Sequence, residues 1–312
     1  MNNIKIFCPA SVANVSCGFD ILGFCLDGIG DEMLIKKTPE KGLTISKITG
    51  AKLPFDPKKN VATIAASAIL KTFNLNHGFD FEIRKHIKPG SGIGSSAASA
   101  VGAVYGINKL IGNPYNRKDL IKFALEGEKY ASKAEHADNI APALLGGFTL
   151  VQSNKTLDII ELPYPKMLYA TILHPEIELK TAHARSILKK SVSLNDSVKQ
   201  SGNLAALVSG LYTNNYDIIS RSLKDYIIEP YRSKLIPEFD LLKKTAINSG
   251  ALGSGISGSG PSIYALSKGK KTAEIVGKEM KKIISRLPIK HRIYISKINQ
   301  KGVEIIWLRW II

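Results

Sequence analysis

Alternating apolar and polar positions dominate the first sixty residues. IKIFCP and DEMLIKK are short β-compatible runs bounded by Pro and Gly, and they predict strands joined by turns. The period then changes. VATIAASAILKTF follows Asn60, a good helix-capping residue, and predicts a helix. FDFEIRKHI alternates and predicts another strand. After the turn KPGSGIGSS, the small-residue run AASAVGAVYGINKLIG predicts a helix that stops at Gly112. Asn116 is placed to cap a further helix over RKDLIKFALEGEKYASK. LLGGFTLVQ predicts a strand entered through Gly146 and Gly147, and Pro163 and Pro165 bracket a linker-like turn. Beyond them come a strand over MLYATILHP, a helix over AHARSILKK and more helices to about residue 245. A glycine-rich GSGISGSGPS, a strand IYALS, a helix over 271–286 and a strand over HRIYISKI complete the pattern. This is mixed α and β in two halves, divided as 1–160 and 161–312.

Composition narrows the class. A chain of 312 residues suits two domains. No apolar run approaches the roughly 18 residues of a membrane span, and the N-terminus lacks a secretory h-region, so a cytoplasmic protein with no membrane partner is expected. Cys8, Cys17 and Cys25 are odd in number and confined to one segment, which predicts buried free thiols rather than disulfides or a zinc site. The net charge of +17 fits either nucleic acid or an anionic substrate such as ATP. The charge is spread along the chain, densest over 268–301, without a zinc finger or recognition-helix signature, so no nucleic-acid partner is expected.

Three segments carry candidate chemistry. Pro89 leads into Gly90-Ser91-Gly92-Ile93-Gly94-Ser95-Ser96, between a predicted strand and a predicted helix. Glycines let backbone approach a ligand, and a helix N-terminus favours phosphate. Ser95 and Ser96 are placed to cap the helix and to offer hydroxyls. No Lys follows Gly94, so this is not a Walker A loop, and the spacing fits a dinucleotide fingerprint poorly. A plain glycine turn stays open as the alternative. The second segment, PASVANVSCGFD, sets Asn14 and Asp20 in an apolar context, where they either meet a ligand or form Asx-turns. The third, GSGISGSGPS, packs nothing by itself and reads as backbone close to a ligand or as a flexible linker.

Taken in chain order, the three segments resemble the three motifs of the galactokinase, homoserine kinase, mevalonate kinase and phosphomevalonate kinase (GHMP) superfamily. These are P-x-x-x-A-N-x-x-x-G-F-D, G-x-G-x-G-S-S-A and a late G-x-x-x-S-G-x-G-P. Thr181-Ala182-His183-Ala184-Arg185, Glu229-Pro230-Tyr231-Arg232 with Leu235-Ile236-Pro237, Glu128 and His136-Ala137-Asp138-Asn139 resemble the homoserine kinase branch. Cys17 and Lys88 stand where the family usually has Pro, and Ser259 and Ser262 where Ala and Thr are usual.

The resemblance implies an α+β fold of two domains, a ribosomal-protein-like N-terminal β/α unit and a ferredoxin-like C-terminal one, with ATP at their junction. It implies ATP-dependent phosphorylation of the L-homoserine hydroxyl, on the way to threonine. Pro89, Gly90, Ser91, Gly92, Ile93, Gly94, Ser95 and Ser96 would wrap the ATP phosphates, with Asn60 at the nucleotide end. Ser96 and Glu128 would hold Mg²⁺, a cation that prefers oxygen ligands. Arg185 and Arg232 would clamp the substrate carboxylate. Asn14, Asp20 and Asp138 would bind its amino and hydroxyl end, and His136 would line the pocket. Asp20, Thr181 and Glu128 form the expected catalytic set; the hydroxyl proton goes either to Asp20 or, the reading favoured for this branch, to the γ-phosphate itself. A homodimer is expected. The rival readings are a superfamily kinase for mevalonate, a sugar, shikimate or a phosphorylated isoprenoid precursor, a nucleic-acid-binding protein, and a degenerate kinase kept as a binding module.

Overall fold

The early alternation becomes three strands, β1 (Asn3–Ala13), β2 (Leu22–Thr38) and β3 (Gly42–Thr49), in a computed structural model that describes residues 2–132 and 136–306. Helix α1 (Val61–Leu70) follows, capped by Asn60, whose side chain accepts from Ala62 N at 3.0 Å. Strand β4 (Gly78–Arg84) runs antiparallel to β2 and parallel to β3. Next come α2 (Ser95–Leu110), α3 (Leu120–Ser132), α4 (Ile140–Leu145), β5 (Phe148–Ser153) and β6 (Asp158–Leu162). The strand order is β11-β1-β2-β4-β3, with β5 joined to β2 and β6 to β5; β11 (Glu304–Ile305) brings the end of the described chain back beside β1.

The small-residue run explains the packing of this unit. Helix α2 lies so close to the sheet that a Cβ on Gly102 would stand 2.1 Å from Cys8 Sγ. All three cysteines are buried and free. The register of β1 on β2 shifts between Pro9 and Ser11, a bulge that re-aims Ser11.

The second unit holds β7 (Leu168–Pro175), β8 (Gly253–Ile256), β9 (Ile263–Lys268) and β10 (His291–Lys297), all antiparallel, in the order β10-β7-β9-β8. Counted within the unit this is 4-1-3-2, the order of a ferredoxin-like sheet. Between β7 and β8 the chain forms α5 (Thr181–Ser186), α6 (Leu194–Tyr212), α7 (Tyr216–Ser222), α8 (Glu229–Arg232) and α9 (Phe239–Asn248); α10 (Lys270–Ile284) joins β9 to β10. Leu242, Ala246, Val276, Met280 and Ile284 pack a second core on this sheet. No helix among the described residues is long and apolar enough to cross a membrane.

Two local expectations change, and two strands arrive without a sequence signal. Leu144 and Leu145 end helix α4 instead of opening a strand, because Gly146 (φ 86°) turns the chain before Phe148. The segment GSGISGSGPS is no linker: its first four residues are β8, fully buried, and the turn after them packs against the loop between β4 and α2. Strands β6 and β11 had no clear signal, since β6 is mostly exposed and β11 is two residues long.

Candidate active site

The loop between β4 and α2 is shaped from behind. Ser11 N donates to Ile93 O at 3.2 Å, Ser257 Oγ to Gly92 O at 2.7 Å and Ser262 Oγ to Ser91 O at 2.6 Å. The third motif therefore braces the glycine-rich loop. Behind Ser262 stands His174, with Nδ1 3.1 Å from its Oγ; burial lowers the ring's pKa to about 4, so it stays neutral. Gly92 and Gly94 have φ of 82° and 71°, a region open to glycine. Gly94 is the N-cap of α2, so neither serine caps it: Ser95 Oγ donates to Ile87 O at 3.1 Å and Ser96 Oγ to Glu128 Oε2 at 2.6 Å. The first N–H groups of α2 lack helical acceptors, and the helix dipole favours an anion there.

In front of the loop lies a cavity of about 330 Å³. Of the residues expected to bind ATP, Asn60, Pro89, Gly90, Ser91, Gly92, Gly94, Ser95 and Ser96 line it. Ile93 does not; its side chain is buried in the core. One wall residue has no sequence signal. Lys85, buried, ion-pairs with Asp31 and donates to Ser95 O and Ser99 Oγ, both at 3.0 Å. Asp31 in turn accepts from His86 N at 2.7 Å and Ile87 N at 2.9 Å. In the sequence both are ordinary charges within predicted strands, and only the fold buries them together.

A second, smaller cavity of about 50 Å³ shares Glu128, Asn139, Thr181, Gly258 and Ser259 with the first. It brings together Asn14, Asp20, His136, Asp138, Arg185 and Arg232. Asp20 (φ 59°) accepts two bonds from Arg185, at 2.7 and 3.1 Å, and lies 3.6 Å from His136 Nδ1. Asn14 acts on the loop itself: its Oδ1 accepts from Asp20 N at 3.0 Å and its Nδ2 donates to Gly258 O at 2.6 Å. Thr181 Oγ1 is 3.3 Å from Ser259 Oγ. Arg232 is 2% exposed and donates to Ala184 O at 3.1 Å and Gly258 O at 3.0 Å. Burial, with Arg185 nearby, lowers its pKa to about 10, so it remains a cation at neutral pH. Both guanidinium groups stand over the ring of Phe19, 5.3 and 5.1 Å from its centroid. Phe19 was legible only as part of a motif, and its platform role needs both arginines in place.

Burial pushes the Asp138 carboxyl up to about 7, and the charges of Asp20 and Glu128 add to it. The folded protein then keeps this proton to about pH 7, while the unfolded chain loses it near pH 4. Stability from this group falls as pH rises through that window and is level above it. Asp138→Asn has no such proton to lose. Its stability relative to wild type should rise between pH 5 and pH 8, by at most about 1.4 kcal/mol per pH unit inside the window. Urea denaturation of both proteins at the two pH values reads the difference, and parallel curves would contradict it.

The fold and this pair of adjoining cavities, one at a glycine-rich helix N-terminus and one lined with paired charges, define a GHMP-type small-molecule kinase. The profile for the GHMP kinases N terminal domain matches residues 60–147, and that for GHMP kinases C terminal matches residues 203–285. The homoserine kinase of Chlorobium phaeovibrioides is 42% identical over 98% of this chain and 100% of its own. That of Xylella fastidiosa is 33% identical over 97% and 94%. The crystal structure of homoserine kinase from Cytophaga hutchinsonii superposes with a TM-score of 0.95 at 49% identity, covering 98% of each chain. A mevalonate kinase structure shares the fold at a TM-score of 0.70 and 16% identity. The chain belongs to the homoserine kinase family, and ATP is the phosphate donor of such kinases.

Proposed function

We propose that the protein transfers the γ-phosphoryl group of ATP to the hydroxyl of L-homoserine, giving O-phospho-L-homoserine for threonine synthesis. The observation that carries this is the charge layout of the smaller cavity: two arginines and two aspartates line a space that adjoins the phosphate cavity, with Glu128, Thr181 and Ser259 in the walls of both. A zwitterionic amino acid with a terminal hydroxyl complements it. Arg185 and Arg232 take the carboxylate in bidentate fashion. Asp20 and Asp138 take the ammonium, and His136 closes the pocket around the chain. Asn14 acts by holding the loop that presents Asp20.

The phosphate loop and the α2 N-terminus hold the ATP phosphates, with Asn60 toward the nucleoside. Ser96 and Glu128 bring two hard oxygen donors together on the cavity wall, which suits Mg²⁺. When bound, that ion supplies charge neutralisation on the phosphates. The substrate oxygen forms its bond to the γ-phosphorus as the bond to the β,γ-bridging oxygen breaks. Asp20 is engaged with Arg185, so the hydroxyl proton passes to a γ-phosphate oxygen, and Thr181 orients the hydroxyl. The family resemblance also supports a homodimer working in the cytoplasm, and light scattering should then give about twice 33.9 kDa.

The test is ADP release by the purified protein with Mg²⁺ and homoserine, mevalonate, galactose, shikimate or no acceptor. Homoserine alone should support turnover; turnover with another acceptor would overturn the substrate while keeping the kinase. Glu128→Gln should lower kcat about 100-fold, with a higher Mg²⁺ requirement. A variant with wild-type kcat and Mg²⁺ dependence would remove Glu128 from the site.

A further inference from the structure

Arg232 lies on α8, a helix of only four residues, which has too few internal bonds to hold its own direction. One carboxylate gathers the N–H groups at its start. Asp225 Oδ1 accepts from Ile227 N at 2.9 Å and Ile228 N at 3.0 Å, and Oδ2 accepts from Glu229 N at 3.0 Å. Gln200, a buried residue of α6, donates Nε2 to the same Oδ1 at 3.0 Å and to Cys17 O at 3.2 Å, while its Oε1 accepts from Tyr226 N at 2.9 Å. Cys17 opens the turn that carries Phe19 and Asp20. The two segments meet again at Gly258 O, which accepts from both Arg232 Nη1 and Asn14 Nδ2. Asn14, Ser16, Asp225, Glu229 and Arg232 enclose a space of about 10 Å³, close to the least room for one water. Neither Asp225 nor Gln200 lines the phosphate cavity.

We propose that Asp225 is a positioning residue for recognition of the acceptor's carboxylate. It sets the direction of Arg232, and through Gln200 it ties that direction to the turn bearing Phe19 and Asp20. One side-chain network thus places the cation, the ring under it and the anion opposite. The inference rests on Arg232 as a carboxylate holder. An ionised carboxylate is required because both of its oxygens accept. An asparagine offers one acceptor oxygen, and its NH₂ would face either Glu229 N or the donors now on Oδ1.

The test compares the wild type, Asp225→Asn and Gln200→Ala with two acceptors: homoserine and 3-aminopropan-1-ol, the corresponding amino alcohol without a carboxylate. Asp225→Asn should raise KM for homoserine about tenfold, leaving KM for ATP within about twofold. The ratio of kcat/KM for homoserine over the amino alcohol should fall by the same factor, because only homoserine uses Arg232. Gln200→Ala keeps the cap but cuts the tie to Cys17. It should move the ratio the same way by a smaller factor, and it carries the test if Asp225→Asn does not fold. A role in folding alone would lower both acceptors equally, and that result, or a shift in KM for ATP of equal size, overturns the proposal. Wild-type turnover of homoserine with an unchanged ratio in both variants overturns this inference alone. A wild type that does not use homoserine overturns the substrate assignment and the inference with it.

Discussion

Gly92→Ala should lower kcat/KM for ATP by at least about 100-fold, and the reason is geometric. At φ 82° an L side chain already carries a penalty of about 1–2 kcal/mol. Space adds to it: the new Cβ would stand 2.5 Å from Gly260 O and 2.7 Å from Ser257 O, both backbone atoms of the third motif. The loop cannot retreat without breaking the bond from Ser257 Oγ to Gly92 O. The backbone that lines the cavity is therefore displaced, and a shift of about 1 Å near the chemistry is enough for a loss of that order. Gly28→Ala is the control. Gly28 has a similar φ of 68°, but nothing lies within 4 Å of its added Cβ. That variant should lose about 1 kcal/mol of stability and bind ATP like the wild type. Titration calorimetry with ATP and thermal unfolding of both variants separate the two effects. Normal ATP binding by Gly92→Ala would mean that the loop is not the phosphate cradle.

Arg232→Ala should have the second largest effect, with the loss confined to the acceptor. The buried guanidinium donates to Ala184 O and Gly258 O and stacks on Phe19, so its removal takes the side-chain donor from Ala184 O, leaves Gly258 O with Asn14 Nδ2 alone and opens a hole beside the ring. Truncating one partner of a buried, hydrogen-bonded charge pair costs about 2–5 kcal/mol. That is about 30-fold to several thousand-fold in kcat/KM for homoserine. Arg232→Lys should not restore it, since an ammonium lacks the planar fork and reaches one carbonyl at a time. Arg185→Ala should cost less, because the Arg185 side chain is 36% exposed and its loss frees Asp20 for the ammonium. Steady-state kinetics at saturating ATP read the acceptor, and KM for ATP should not move. An equal loss toward both substrates would point to damage to the fold instead of to a carboxylate clamp.

The elements were mostly legible because their signals are local. Asn60 marks the start of α1, Gly112 (φ 97°) follows the end of α2, and period-two alternation marks β4. The misreadings share one cause. Leu144 and Leu145 are as apolar as a strand, and the buried glycines and serines of β8 are as polar and small as a linker. Apolarity and size do not choose between such states; the neighbours do, through Gly146 in the first case and β9 in the second.

By itself, then, the sequence determined most of the strands and helices and their order, the positions of three glycine-rich segments and the residue types that a phosphoryl-transfer site needs. These depend on neighbours in the chain, on capping, and on φ values that only certain residues adopt. Tertiary structure alone decided the partnerships: Arg185 with Asp20 across 165 positions, Lys85 with Asp31 across 54, and Gln200 with Cys17 across 183. Charges and amides carry no local mark of such partners. In water each is an ordinary solvated group, and it acquires its role only when the fold removes the water and leaves a single neighbour to replace it.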